Sequence, residues 1–554
     1  MMSKRLAMLC TVLVAWMLVM TACGGGETTD VPAEEPVQQG EETVVEEPET
    51  VEPAPEEPEA EEFTELIVGV GADGYRLEGD GADLGIRPPG PANITEPLVR
   101  ITPDYEIVPW LAESWEQLDE TTWRINLRQG VKFHNGDDFN AEAAQWSIDK
   151  SNRWFPLFPP DAVTVVDEFT LEIATTRPFW YIAEALSHPS YAMYSPAGDP
   201  GTNPIGTGPF MLDEYKQNEF IRVVKFDDYW GETAKLDAVT LRFIPDNGAR
   251  VLALQSGDVD MILPVPRDNV PQVEALPDVE LYVSKPIGYW AIYFATKNQV
   301  SPFDTLSDVQ LRQAINYAID RETIVNQVFD GYAEVAVSLT PPTVSPEIDQ
   351  NITGFTYDPD KALELFAAAG WTDSDGDGVL DKDGESLILT LVSGFPPAEE
   401  AKPLPEVIQG QLKAIGVDAQ LVEFNDVGAY YDFIIDSGET HMIIESGSWN
   451  TPDLSFLTFT VFCGCNPEGE AILYERFWLN DEFDQGVMDS QGAADAAGAT
   501  AAAVRSAQVM VDEFTGVAPI AYVPQIGAAY SYVKGFEVHP SNYSQAWNLV
   551  FIER

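Results

Sequence analysis

Between Gly24 and Glu62 the chain carries 15 Asp or Glu, many prolines and not one Lys or Arg. Such a segment cannot bury enough apolar surface to offset the entropy of ordering it. Its like charges also repel and extend it. The tract is therefore a solvated spacer, and an ordered core has to come from residues 63–554. That length suffices for two or three domains with sizeable cores. Without the tract's 15 acids and without Lys4 and Arg5, the body still holds 76 acidic against 28 basic residues, a net −48. That balance argues against nucleic acid, whose recognition needs basic patches. It weakly favours a cationic or zwitterionic ligand, or life in salty water.

The residues ahead of the spacer say what it is tied to. Lys4 and Arg5 precede an apolar run at 6–20, LAMLCTVLVAWMLVM. The run is shorter than the roughly 20 residues a membrane span needs and has the length and flanks of a signal-peptide core. Thr21, Ala22 and Cys23 follow, and the segment resembles a bacterial lipoprotein signal, in which that cysteine is lipidated. The resemblance implies a signal peptide over 1–22, a lipidated Cys23 and a linker to residue 62, holding the body at the membrane outside the cytoplasm. The plainer alternative is a cleaved signal with an incidental cysteine. No later segment has 18 consecutive apolar residues. Cys10 leaves with the signal, so Cys463 and Cys465 are the body's two cysteines. They are a strained disulfide or two thiols; a metal site built from them and His441 lacks identifiable further ligands.

Along the body, TELIVGVGA (64–72) alternates like a first strand and runs into a Gly/Pro-rich loop. TTWRINLR puts Trp123, Ile125 and Leu127 on one face, and Asn140 stands where it would cap a helix from Ala141. In NPIGTGPFML, Gly206 and Gly208 permit a tight turn and Pro209 fixes the way into a strand. In LRQAINYAID, Leu311, Ala314, Ile315, Ala318 and Ile319 share a helical face. Asp320 then caps a helix that ends before Gly331.

These pieces, with EPLVRITPD, IVPWLAESWE, WRINLRQGVKFHNGDDFNAE, DDYWG, LDAVTLRFIPD, ALQSGDVDM, YDPDKALELFAAAGW, IQGQLKAIGVDAQLVEF and YVKGFEVHP, occur in order from about residue 66 to 540. The ordered set resembles the extracytoplasmic solute-binding proteins of family 5, the large binding proteins of ABC importers for peptides, nickel and related solutes. The resemblance implies an α/β, type II periplasmic-binding-protein fold. One lobe would take 63–95, 200–285 and 526–554, an extra inserted domain 96–199, and a second lobe 286–525. It implies a monomer that captures solute between lobes, closes by a hinge motion and docks on permease subunits whose cytoplasmic ATPase drives release. A sensory binding protein would read the same way. The rival from another class, a lipid-anchored hydrolase, finds no support. His134, His188, His441 and His539 are scattered and none sits in a nucleophile, zinc-protease or phosphate-loop pattern.

Three segments are candidates for the ligand site, which the resemblance places between the lobes and lines with aromatics and a few polar groups. They are Tyr75 and Arg76 after the first strand, Tyr289 and Trp290 in IGYWAIYFAT, and Trp449, Asn450 and Asp453 in ESGSWNTPDLSFL. Each aromatic can equally be ordinary core. Peptide binders of the family usually carry Gly-Trp and then an Asp for the peptide's amino terminus. Here the Asp is displaced to Asp453, with Glu445 as a substitute. The expected ligand is a small peptide or another amine-bearing solute, and no cofactor is required. One local motif points to a metal. In DSDGDGVLDKDGE, Asp373, Asp375, Asp377 and Asp381 fall at oxygen-ligand positions of a calcium loop, with the Val379 carbonyl between them and Gly378 at its turn. The final ligand position is Gly384, with Glu385 one residue late, so the loop is a structural calcium site or a plain polar hairpin.

Overall fold

The structure is a computed structural model; it describes residues 63–71, 92–152, 158–159, 161–296, 304–393, 401–424, 427–452, 454, 480–541 and 544–554. Tyr75, Arg76, Asp453, Cys23, Cys463 and Cys465 lie outside the described residues.

Strand Glu65–Val70 buries Leu66 and Val68 and pairs in parallel with Ala238–Phe243 on one side and Met261–Leu263 on the other. Around it a seven-stranded sheet runs in the order Phe210–Lys216, Phe220–Lys225, Ala238–Phe243, Glu65–Val70, Met261–Leu263, Ile526–Tyr530, Val279–Val283. Apolar residues recurring every second position give such a strand one fully buried face.

The 94–200 stretch builds a separate four-stranded antiparallel sheet, ordered Ala112–Asp119, Thr122–Leu127, Thr170–Ala174, Val163–Asp167. Trp123, Ile125 and Leu127 are buried along one face, as their spacing requires. Helix Ala141–Asn152 covers the sheet, and the Asn140 side chain caps it by accepting from the Ala143 N–H at 3.0 Å.

A six-stranded sheet follows, ordered Glu334–Val335, Val517–Val523, Gly288–Phe294, Met442–Ser448, Ile388–Ser393, Asp418–Glu423. Helices Val309–Ala318, Arg321–Val328, Pro359–Ala368 and Leu404–Ala414 supply the core on one of its faces. Leu311, Ala314, Ile315 and Ala318 point into that core, and Asp320 caps the second helix by accepting from the Thr323 N–H at 3.0 Å. Ile319 is buried with them but lies in extended backbone between the helices. Two arginines finish the packing. Arg321 donates to the carbonyls of Pro519, Asn316 and Ile319, and Arg312 to those of Thr515, Leu306, Ser307 and Phe514. Buried carbonyls left without donors are costly, so each guanidinium satisfies several main-chain acceptors at once.

The glycines of NPIGTGPFML have a reason beyond the turn. A Cβ on Gly206 would lie 1.9 Å from the Ile94 carbonyl oxygen, and one on Gly208 2.1 Å from that of Asn93. The turn is pressed against backbone more than a hundred residues away, and no side chain fits.

Candidate functional site

Among the described residues, two short segments carry the chain between the seven- and six-stranded sheets. One joins Val279–Val283 to Gly288–Phe294, the other Val517–Val523 to Ile526–Tyr530. The two segments hold each other. The Ser284 N–H donates to the Gln525 carbonyl and the Gln525 N–H to Ser284 Oγ, both at 2.9 Å. Arg267 donates to the Pro524 carbonyl beside them.

Strand register fixes what faces this junction. Gly288, the first residue beyond it, stands opposite Ser448, the last residue of Met442–Ser448. That strand and Asp418–Glu423 both run parallel to Ile388–Ser393, so three carboxyl ends meet there. On the other side the Val265 N–H, just past Met261–Leu263, donates to the Ile526 carbonyl at 2.7 Å. The carboxyl ends of Glu65–Val70, Ala238–Phe243 and Met261–Leu263 therefore reach the same junction. In open α/β sheets the crevice outside the carboxyl ends of parallel strands is where ligands sit. Here two such sets of carboxyl ends face one junction. Gly71, which leads into the segment with Tyr75 and Arg76, follows the carboxyl end of Glu65–Val70.

Strand Gly288–Phe294 divides its aromatics between two faces. Trp290 goes with Ile292 and Phe294 into the helix-covered core. Tyr289 goes with Tyr293 onto the opposite face, where Glu445 and Tyr430 join them. The Tyr293 hydroxyl donates to the Tyr289 hydroxyl at 3.1 Å, and Tyr430 donates to Glu445 Oε1. Burial pushes the Tyr289 and Tyr293 phenols well up, so both remain protonated donors. Opposite Tyr289 stands Gly447, whose missing Cβ would fall 2.3 Å from the Tyr289 hydroxyl. Glu445 is 6% exposed, a carboxylate held within a wall of phenols.

Trp449 follows at the strand's end and is 2% exposed. Its N–H donates to the Ile287 carbonyl at 3.1 Å, its indole Nε1–H to the Leu339 carbonyl at 2.8 Å, and its own carbonyl accepts from the Tyr105 hydroxyl. One edge lines a small apolar cavity with Leu454, Phe483 and Met510. In this conformation the ring is packed on protein. Asn450, half-buried beside it, has no side-chain hydrogen bond among the described residues. Of the candidates, Tyr289, Trp449 and Asn450 come together at the six-stranded side of the junction, and Trp290 does not. Sequence reasoning passed over Tyr105, Tyr293 and Tyr430, which no motif marks.

In the Asp-rich loop, one carboxylate oxygen from each of Asp373, Asp375 and Asp377 lies within 4.8 Å of the others. Asp381 stands apart from that group and accepts from the Ser374 N–H at 2.7 Å and Oγ at 2.6 Å, which holds its carboxyl below the usual range. The expected hairpin is also present, with Asp381–Lys382 paired to Glu385–Ser386. The loop thus presents three converging carboxylates rather than the four expected.

Residues 106–467 match the family of bacterial extracellular solute-binding proteins, family 5. The glutathione-binding protein GsiB of Salmonella typhimurium is 32% identical over 372 residues, 64% of this chain and 69% of that protein. The nickel-binding periplasmic protein of Escherichia coli K12 is 31% identical over 366 residues, covering 61% and 67%. Among solved structures, NikA from Brucella suis in complex with Fe(III)-EDTA superposes with a TM-score of 0.75 at 22% identity, over 88% of this chain and all of that one. The oligopeptide-binding protein AppA from Bacillus subtilis, in complex with a nonapeptide, gives 0.69 at 23% over 89% and 100%. At such identities the two structures speak for the fold.

Proposed function

The chain belongs to the bacterial extracellular solute-binding proteins of family 5, and from that premise we propose that it is the extracytoplasmic receptor of an ABC importer for a small peptide or another amine-bearing solute. It is a binding protein, not an enzyme. The observation that carries the reading is the junction itself: two sets of parallel-strand carboxyl ends facing one crevice, joined by two short, mutually bonded crossovers.

The mechanism follows from that geometry. Rotation about 284–287 and 524–525 opens and closes the crevice without disturbing either sheet. Closure removes solute from water, where hydrogen bonds and charge pairs to it strengthen. On the six-stranded side Glu445 supplies negative charge for an ammonium group, the Tyr289 phenol supplies a donor, and Asn450 offers both a donor and an acceptor. Tyr75 and Arg76 remain proposed contacts, with Arg76 suited to a carboxylate. Two features support a peptide: the acidic wall, and the glutathione-binding relative, whose named ligand is itself a tripeptide. The lipidated Cys23 remains the proposed anchor, with the acidic spacer giving the body its reach.

Native mass spectrometry of the body, purified without refolding, followed by calorimetry with glutathione, short peptides and nickel–histidine, tests this. The expected result is a bound peptide-sized mass and saturable peptide binding. Binding of nickel–histidine alone would overturn the peptide assignment. Absence of any bound solute and of any heat would overturn the receptor.

A further inference from the structure

The four-stranded domain touches both sheets, and the two attachments are unlike. Toward the seven-stranded sheet it is fixed twice by the chain itself, at about residues 95 and 200. Between those crossings lies the Glu96 carboxylate, which accepts from Trp110 Nε1, Thr207 Oγ1, Tyr229 Oη and Trp230 Nε1 at 2.7–2.9 Å. Burial pushes the Glu96 carboxyl up, and the four donors oppose that shift. His134 reaches the Gly208 carbonyl at 3.0 Å, and His539 reaches that of Ile101 at 3.1 Å. Bonds to a carboxylate, like the four at Glu96, are about twice as strong as neutral ones.

Toward the six-stranded sheet the described chain makes no crossing. Arg177 donates to Met488 Sδ at 2.7 Å and Lys285, in the crossover, pairs with Asp104 at 2.7 Å, while the bonds of Tyr105, Thr451, Trp180 and Tyr181 join neutral groups. Tyr105 donates to the Trp449 carbonyl, Thr451 Oγ1 to the Glu184 carbonyl at 2.7 Å, and the Trp180 N–H to the Gln491 carbonyl at 2.8 Å. The Tyr181 hydroxyl lies 3.1 Å from Ser490 Oγ. Tyr105 makes its bond from a strained backbone, with φ of 69° at the turn between Val99–Ile101 and Ile107–Pro109. A bulky residue in that region persists only where its surroundings hold it there. The Trp449 carbonyl it meets is held from within the six-stranded domain, by the Ile287 and Leu339 bonds of the same residue.

We propose that the four-stranded domain rides with the seven-stranded sheet and is the latch of the closed state, with Tyr105 the catch and the Trp449 carbonyl its keeper. When the crevice opens, the Tyr105–Trp449, Thr451–Glu184 and Trp180–Gln491 bonds part together, and their groups pass to water. Trp449 then sets how long solute stays bound through its main chain, whether or not its ring touches solute. The proposal rests on the receptor reading above and deepens it.

Hydrogen exchange on the full chain, without solute, tests the latch, because the Trp180 amide is bonded across the parting interface. In Tyr105→Phe the Trp449 carbonyl loses its donor when closed but not when open. One lost buried bond of this kind predicts about tenfold faster exchange at Trp180, equivalent to roughly 1.4 kcal/mol. Amides of Glu65–Val70 and Gly288–Phe294, each within one sheet, should keep their rates. Unchanged exchange at Trp180 overturns the latch. If Tyr105→Phe loosens every segment alike, the milder Thr451→Val decides: selective acceleration at Trp180 supports the latch, and uniform or absent acceleration overturns it. Solute binding is read separately by native mass spectrometry. An intact latch without solute fails the receptor reading, and bound solute with unchanged exchange fails the latch.

Discussion

Trp449 shows how much one residue's position decides. As a ring in a cleft it would govern affinity; as placed, its indole N–H, amide and carbonyl all have protein partners. Trp449→Ala is therefore expected to cost about 3–5 kcal/mol of stability, the usual range for emptying a buried tryptophan site. Denaturant unfolding measures that directly, and calorimetry on the same sample separates it from affinity. An unchanged midpoint with lost binding would return the ring to the ligand. The buried histidines answer a different question, that of acid. His134 and His539 are pushed down to about 4 and His188 to about 3, chiefly by desolvation. Their folded values lie below the unfolded one of about 6.5, so the unfolded chain takes up protons first. The stability they contribute is full above about pH 6.5 and is lost as pH falls toward 4, by up to about 1.4 kcal/mol per pH unit for each imidazole. His188→Asn keeps an acceptor for the Ser190 N–H. Its melting temperature should fall less steeply between pH 6.5 and 4.5 than that of the parent. The comparison cancels the relief of surface repulsion that acid brings to both. An identical slope would show that His188 is not kept neutral by the fold.

At the scale of elements, the Asp-rich hairpin is closed by its own hydrogen bonds, and its three converging carboxylates repel one another. A calcium ion there would relieve that repulsion and bind only the folded loop. Millimolar calcium should then raise the melting temperature by mass action, relative to chelator, and Asp375→Asn should abolish the rise. No difference between calcium and chelator would leave a plain hairpin. The 206–209 turn has the opposite character. It carries no charge, yet two backbone carbonyls forbid a Cβ at both of its glycines.

For the whole molecule, the ordering of chain segments explains why the two sheets meet as they do. Crossing twice between sheets leaves both sets of parallel-strand carboxyl ends at one junction, and the four-stranded domain contacts both sides. Much of this was legible beforehand. Alternation at 122–127, the helical face at 311–318 and the caps at Asn140 and Asp320 are local features, set by the periods of strand and helix and by side chains satisfying the first amides of a helix. The ordered motifs carried the α/β class and the family with them. Other features could not be read from the chain. Tyr289 and Trp290 are aromatic neighbours, and only the tertiary packing decides which goes under the helices and which joins Glu445. Gly206 reads as turn chemistry until Ile94 is found against it. Tyr105, in an unfavourable conformation, is held by a carbonyl 344 residues later. The sequence by itself determined periods, caps, charge and kinship, because those depend on near neighbours. Tertiary structure alone decided which distant backbone groups meet, because close packing and the pairing of buried polar atoms are settled only when all the segments are in place.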